Sequence, residues 1–274
     1  YRVNGGLLTK QVAMMPGKQQ VAVGYTWHGD RIRTTTRDLR VLHDAEESAH
    51  LRLHMLVNYR DFHSATTGSD DWHFEQHQES ELVRIRAFPD AQSLSIYYDR
   101  GTYTQASDWY RDYYWPREAE RGLEDREDCY HAGVLETKLL SGQSVTIFGA
   151  IDDVLFRSID EVVKISWAHK KRLLISASAS PMHVGEAVGV DPIWRQAVPA
   201  GLDDGTPLIP QQMLILAADD FVVRRQSTRS NSIVAGYHWF SDWGRDSMIS
   251  LAGLALATGR TKVARSVLET FGAY

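Results

Sequence analysis

The sequence predicts a mainly β fold with an α-helical part towards its C-terminal end. Three observations lead to this prediction. Short runs of alternating apolar and polar residues continue to about residue 150, a stretch rich in proline and glycine covers 181–210, and apolar residues at helical spacing follow it. Several short strands separated by turn residues, with no helix between them, are typical of an antiparallel β-sandwich.

The strands of the first half are predicted from alternation. Residues 20–27 alternate with period two, as the residues of a half-buried strand do. The same pattern predicts further strands at 51–57, 82–88, 94–98 and 144–149. Because successive side chains of a strand point to opposite faces, each run has one face suited to a core.

Residues 99–128 depart from this pattern. They contain many charges and six aromatic residues, among them Trp109 and Tyr113, and no clean period fits them. We therefore predict a long irregular insertion. Its aromatic side chains suit either packing against another domain or stacking on a ligand.

Helical spacing begins after residue 150. Asp152-Asp153 can cap a helix, and three further helices are predicted at 211–221, 245–258 and 261–271. A short turn containing Gly259 separates the last two, which predicts an αα-hairpin. The predicted organisation is one domain at 1–180 with a terminal helix, a linker at 181–210 and a second domain at 211–274.

Composition excludes several classes of protein. The chain has 274 residues, 43% of them hydrophobic and 24% charged, and its net charge is -5. It has no basic block for nucleic acid and no apolar run long enough for a membrane helix, so we expect neither partner and a cytoplasmic location. The single cysteine forms no internal disulfide, and we expect no metal or other cofactor. Adjacent acidic pairs such as Asp219-Asp220 are expected to be solvated turns or caps.

The segment 236–246 has the densest set of chemically useful side chains. It reads Gly-Tyr-His-Trp-Phe-Ser-Asp-Trp-Gly-Arg-Asp and leads into a predicted helix. Flat apolar rings beside bidentate hydrogen-bonding groups suit a sugar ligand. The C–H face of a pyranose packs on an aromatic ring, while its hydroxyls hydrogen-bond to Arg and Asp. The candidate binding residues are Trp239, Trp243, Arg245 and Asp246, with Tyr237, His238, Asp242, Trp109 and Tyr113 as possible rim residues. On composition alone, a solvated Arg245–Asp246 pair at an aromatic-rich helix start has equal weight.

The segment 236–246, followed by Leu251 and Thr258-Gly259-Arg260, resembles the start of the catalytic domain in bacterial and archaeal glycogen debranching enzymes, the amylo-α-1,6-glucosidase family. Three upstream segments also resemble this family, in the same order, and extend the likeness over nearly the whole chain: 56–63, 121–128 and 217–225.

The resemblance implies an N-terminal β-supersandwich followed by an (α/α)₆ barrel. Against the family pattern, the first strands and nearly all of the barrel after its first helices are expected to be missing from this chain. The remainder of the barrel would then be its partner.

The Trp243-Gly244-Arg245-Asp246 segment also resembles the Trp-x-Arg-Asp segment of glucoamylases, in which Arg and Asp bind sugar hydroxyls and are not the acid and base. By that likeness the catalytic carboxylates lie beyond Tyr274, with Asp246 as the fallback.

The implied reaction is hydrolysis of α-1,6-linked glucose stubs on glycogen or a related α-glucan, with inversion and no cofactor. In inverting enzymes the acid and the base stand about 6.5–9.5 Å apart. Two alternatives stay open: a glucoamylase-like α-glucosidase fragment and a non-catalytic carbohydrate-binding β-sandwich module. A sugar phosphorylase would require a phosphate site, which the sequence does not show.

Overall fold

A computed structural model describes residues 1–3, 6–29, 48–151, 158–178 and 208–273. The chain forms two compact units, Tyr1–Lys164 and Ile165–Tyr274. The predicted linker lies outside the described residues except for 208–210, and so does the Asp152-Asp153 cap.

Within the described residues of the first unit, most of the chain forms ten strands and one short helix. In chain order they are β1 (Arg2–Val3), β2 (Gly6–Met14), β3 (Gln20–Gly29), β4 (Ser48–Val57), β5 (Glu75–Glu79), β6 (Leu82–Arg86), β7 (Leu94–Tyr98), β8 (Thr102–Tyr114), α1 (Pro116–Glu120), β9 (Arg126–Leu140) and β10 (Ser144–Ala150). One sheet has the order β1-β2-β3-β10-β7-β6-β5, and the other has the order β4-β9-β8. Every pairing is antiparallel, which confirms the predicted strand arrangement.

The core of this unit contains side chains from both sheets. Trp27, Val83 and Val145 of the seven-stranded sheet are buried in the same apolar cluster as Tyr130 and Leu135 of the three-stranded sheet. In the second half of β9, burial alternates residue by residue, as a strand with one covered face requires. The local alternation of apolar residues therefore defines which side of each strand is packed.

The predicted irregular insertion at 99–128 is wrong. Most of it is regular structure: the long strand β8, which pairs with β9, then helix α1 and the first residues of β9. The register of the β8–β9 pair shifts between Gln105 and Asp108 and again between Tyr110 and Tyr113. Each β-bulge inserts extra residues and reverses the alternation beyond it, so no single period fits the sequence.

The second unit contains most of the helices. Its elements are α2 (Ile159–Ser178), which begins in the first unit, α3 (Pro210–Asp220), β11 (Val222–Arg225), β12 (Ser230–Ile233), α4 (Gly244–Leu251), a π-helical segment (Ala252–Leu256) and α5 (Thr261–Gly272). The predicted helices at 211–221 and 261–271 are confirmed. The helix predicted at 245–258 is divided, since α4 continues as the π-helical segment.

The helices α4 and α5 pack with the β11–β12 hairpin around a small apolar core. Ile233, Leu251, Ala255 and Val267 are buried there. Other apolar side chains of these helices face outwards, and Ile249 is 76% exposed. In the described ranges, no helix is both long enough and apolar enough to cross a membrane.

Candidate functional site

The segment 236–246 forms a closed loop followed by the start of α4. Val234 bridges Asp242, the backbone N–H of Ala235 donates to the Ser241 carbonyl at 3.0 Å, and that of Phe240 donates to the Gly236 carbonyl at 3.0 Å. These contacts hold the two ends of the loop together.

Two of the predicted rim residues anchor this loop. The Asp242 carboxylate accepts a 2.6 Å hydrogen bond from the Ser232 hydroxyl on β12. The Tyr237 hydroxyl donates to the Asp220 carbonyl at 2.6 Å, and burial together with the nearby Asp220 raises the pKa of Tyr237, which favours the protonated donor. Asp242 and Tyr237 therefore position the loop on its unit.

The four predicted binding residues lie within eight consecutive residues, 239–246, at the end of this loop and the start of α4. Trp243 is exposed and immediately precedes α4, while Trp239 is half-buried and its ring centroid lies 4.4 Å from that of His238. Arg245 Nη2 lies 3.5 Å from Asp246 Oδ2, and both side chains reach solvent. This geometry leaves their polar heads available to a ligand. It equally suits a solvated ion pair worth about 0–1 kcal/mol.

A partly buried ion-pair network lies in the same unit. Asp219 accepts from His169 Nε2 at 2.7 Å and from Arg260 Nη1 at 2.6 Å, and the Arg260 side chain is buried. Arg260 also donates to Thr258 and to the Leu254 carbonyl. Because Asp219 lies on α3, its bond from Arg260 ties the Thr258-Gly259-Arg260 turn to that helix. Asp219 is therefore an ion-paired residue near the end of α3, an exception to the expectation of solvated turns or caps for most adjacent acidic pairs.

The two predicted rim residues of β8 lie in the first unit. The Trp109 indole N–H donates to the carbonyls of Ser69 and Trp72, and its ring packs 5.2 Å from that of Tyr130. Trp109 is therefore a half-buried packing residue of the sandwich. Tyr113 is exposed, and its ring centroid lies 4.8 Å from that of Trp115.

Sequence reasoning missed an ion pair that joins two distant segments. Arg60 donates to both oxygens of Glu127, from Nε at 2.7 Å and from Nη2 at 2.8 Å. Glu127 is buried, and it also accepts from the Trp115 indole at 2.7 Å and from the Thr66 backbone at 3.2 Å.

The same partners decide the charge of this carboxyl. Burial by itself raises the pKa of Glu127, but the hydrogen bonds from Arg60, Thr66 and Trp115 hold it below its ordinary value. The available signal in the sequence was that Arg60 and Glu127 each lie in a segment that resembles the debranching enzymes.

Comparison with models of known protein families identifies the family of this chain. A family model described as "Glycogen debranching enzyme N terminal" matches residues 1–146, more than half of the sequence. The chain belongs to the glycogen debranching enzyme family. A second family model, described as "Amylo-alpha-1,6-glucosidase", matches residues 216–274. Comparison with curated proteins finds no match.

The two matches confirm the family resemblance, and each covers a different part of the chain. The N-terminal match of this debranching enzyme contains the Arg60–Glu127 pair. The glucosidase match contains the whole loop 236–246, and it identifies the intact protein as a glycoside hydrolase of glycogen breakdown. In the described part of the chain, no group of three His, Cys, Asp or Glu residues is arranged to hold a metal ion.

Proposed function

We propose that the intact enzyme hydrolyses α-1,6-linked glucose stubs of glycogen or a related α-glucan, and that the loop before α4 holds the glucose. One observation carries this proposal. Exposed Trp243 adjoins the Arg245–Asp246 pair at the start of a helix, within the residues that match the amylo-α-1,6-glucosidase family.

The chemistry of these side chains suits a pyranose. The Trp243 ring offers an apolar face to the sugar C–H groups, and half-buried Trp239 offers a second wall. Arg245 donates several hydrogen bonds from a planar fork, while Asp246 accepts. Asp246 lies in the first turn of α4, where the helix dipole favours a carboxylate. The exposed His238 is a rim residue.

The helices of the second unit support a barrel arrangement. We propose that α4, the π-helical segment and α5 begin an (α/α)₆ barrel in a domain at 211–274, after the sandwich domain at 1–180 and the linker at 181–210. The α4–α5 pair packs as a helical hairpin, and Ile249 offers an apolar surface of the kind that a further helix covers.

The proposed mechanism is inversion, with the acid and base supplied by carboxylates other than Asp246. A carboxylate beside a guanidinium suits the role of hydrogen-bond acceptor for a hydroxyl. In an inverting pair, one carboxylic acid protonates the leaving oxygen while the other carboxylate activates water across a gap of about 6.5–9.5 Å.

The test is glucose release from a branched limit dextrin by the full-length enzyme. Because a hydrogen bond to a charged group contributes about 1.5–3 kcal/mol, Asp246→Ala is expected to lower kcat/KM by roughly 10- to 100-fold. Glu269→Ala, which removes an exposed carboxylate on α5, is the matched control and should leave turnover unchanged.

Wild-type turnover by the Asp246→Ala enzyme would overturn the binding assignment. In the same assay, proton NMR of the first glucose released reports the stereochemistry. The β anomer is expected, and initial release of the α anomer would exclude inversion.

A further inference from the structure

The sandwich unit contains a pocket that the proposed hydrolysis does not use. It is an open pocket of about 430 Å³, a volume that includes solvent at its mouth. The Arg60–Glu127 pair lies in its lining, and Phe62, Trp115 and Leu123 are its exposed apolar side chains. Two segments that are far apart in sequence form it, the turn after β4 and the stretch from Trp115 to the start of β9.

Two aromatic residues of the pocket, Trp115 and Phe62, are partly exposed, and a hydrogen bond fixes the first of them. The Trp115 indole is fixed at one edge by its 2.7 Å hydrogen bond to Glu127, while 37% of the residue stays exposed. Phe62 is 39% exposed, and its ring contacts His63 at 4.2 Å between centroids. A ring whose orientation is fixed before binding loses little conformational freedom when a ligand packs on it.

The polar groups of the pocket suit a hydroxylated ligand. Three of the five N–H groups of Arg60 donate to Glu127 and to the Asp61 carbonyl, which leaves two without a partner among the described residues. Glu124 is an exposed rim residue whose carboxylate offers acceptors. Donors and acceptors thus lie beside apolar rings in one pocket.

The charge of the pocket argues for a neutral ligand. Three carboxylates and two guanidiniums line it, which leaves one net negative charge. Both guanidiniums already have a carboxylate partner, Glu127 for Arg60 and Asp112 for Arg126. A phosphate or another anion would therefore meet net repulsion and no unpaired cation.

We propose that this pocket is a second α-glucan site, which binds one or two neutral glucosyl units through residues other than those proposed to hold the cleaved glucose. The choice of an α-glucan rests on the proposed function, because the family acts on glycogen. The pocket itself supplies the ring faces, the free guanidinium donors and the carboxylate acceptors. Such a site would keep the enzyme on a branched polymer between cleavage events.

The test is retardation of the full chain in native gels that contain increasing glycogen, which yields a dissociation constant. Phe62→Ala removes one wall and leaves the Arg60–Glu127 pair intact, while Trp115→Ala removes the fixed ring. Loss of one such ring contact is expected to raise the dissociation constant by about tenfold. Phe88→Ala is the matched control, since Phe88 is 45% exposed, contacts one aromatic ring and does not line the pocket.

A further variant separates this proposal from the proposed function. If the pocket binds independently, adding Phe62→Ala to the Asp246→Ala enzyme should raise its dissociation constant by the same factor of about ten as in the wild type, whatever the effect of Asp246→Ala itself. Maltohexaose should compete with glycogen, and an equal concentration of glucose 6-phosphate should not. Circular dichroism checks that each variant is folded.

Two kinds of result would overturn the glucan pocket. One is unchanged retardation of both Phe62→Ala and Trp115→Ala, or no retardation of the wild-type chain. The other is loss of retardation only in Asp246→Ala, which would place the glucan at the loop before α4 and leave the proposed hydrolysis standing. Failure of the proposed hydrolysis appears separately, as full turnover by the Asp246→Ala enzyme.

Discussion

Replacement of Arg60 by Met tests the energetics of the buried ion pair in the sandwich. The Glu127 side chain is 2% exposed and that of Arg60 is 27% exposed, and two hydrogen bonds of 2.7 and 2.8 Å join them. Met keeps much of the aliphatic stem of Arg and removes the guanidinium. The substitution therefore leaves Glu127 as a buried carboxylate without its counter-charge.

The magnitude follows from the remaining contacts. Removing one partner of a buried pair typically costs about 3–5 kcal/mol. Glu127 keeps its hydrogen bonds from Trp115 and from the Thr66 backbone, and Arg60 is partly exposed, so the lower end of that range applies. We expect Arg60→Met to lower the free energy of unfolding of the sandwich by about 3 kcal/mol at pH 7.

The pH dependence gives the prediction a second signature. In the wild type the pKa of Glu127 lies below its ordinary value of 4.5. The contribution of the pair is therefore complete above about pH 4.5 and is lost as the pH falls through the folded-state pKa. In the variant, burial without Arg60 raises the pKa of Glu127, so protonation relieves the buried charge. The difference in the free energy of unfolding between the two proteins should therefore be smaller at pH 4 than at pH 7.

Denaturant-dependent hydrogen exchange of peptides from β9 measures this stability in the sandwich alone. Arg52→Met is the matched control. Arg52 lies on β4 and, like Arg60, pairs with a carboxylate of β9, in this case Glu136 at 2.6 Å, but the two side chains are 65% and 54% exposed. Arg52→Met should lower the free energy of unfolding by less than about 1 kcal/mol. An effect of Arg60→Met no larger than that of Arg52→Met, or one that is the same at pH 7 and pH 4, would refute the reasoning.

Two further substitutions test the packing of β9 by thermal unfolding. A Cβ at position 133 would lie 2.4 Å from the Tyr103 ring, so Gly133→Ala is expected to destabilise the sandwich by about 1–3 kcal/mol. Gly253→Ala, whose Cβ meets no atom within 4 Å, should leave the melting temperature unchanged or raise it. Leu135→Ala removes a fully buried side chain and should cost about 2–5 kcal/mol, whereas Leu140→Ala on the exposed face of the same strand should cost under about 1 kcal/mol. Equal melting temperatures within either pair would contradict the packing.

Features that depend on near neighbours in sequence were predictable. The strands at 20–27 and 144–149 and the helix at 261–271 follow from apolar spacing, because one buried face imposes a period on local sequence. The family was recognisable for a similar reason, since the loop before α4 brings its rings and charges together within one continuous segment, 236–246.

Where a bulge interrupts a pair of strands, local sequence is misleading. The strand β8 has aromatic and charged residues without a steady period, because two register shifts against β9 change which residues face the core. The shifts are a property of the pairing between the two strands. Without the position of β9, Trp109 is equally consistent with a ligand platform and with its actual place beside the sandwich core.

The amino-acid sequence by itself determined the strand-rich first part, the helical second part, the family and the segment proposed to hold glucose. Only the tertiary structure decided that Arg60 and Glu127, 67 residues apart, form a buried pair beside Trp115. The same holds for the hydrogen bond that Asp219 accepts from Arg260. The reason is physical. Apolar periodicity is encoded over a few residues, whereas the burial of a charge and the choice of its partner depend on strand register and on helix packing across long stretches of chain.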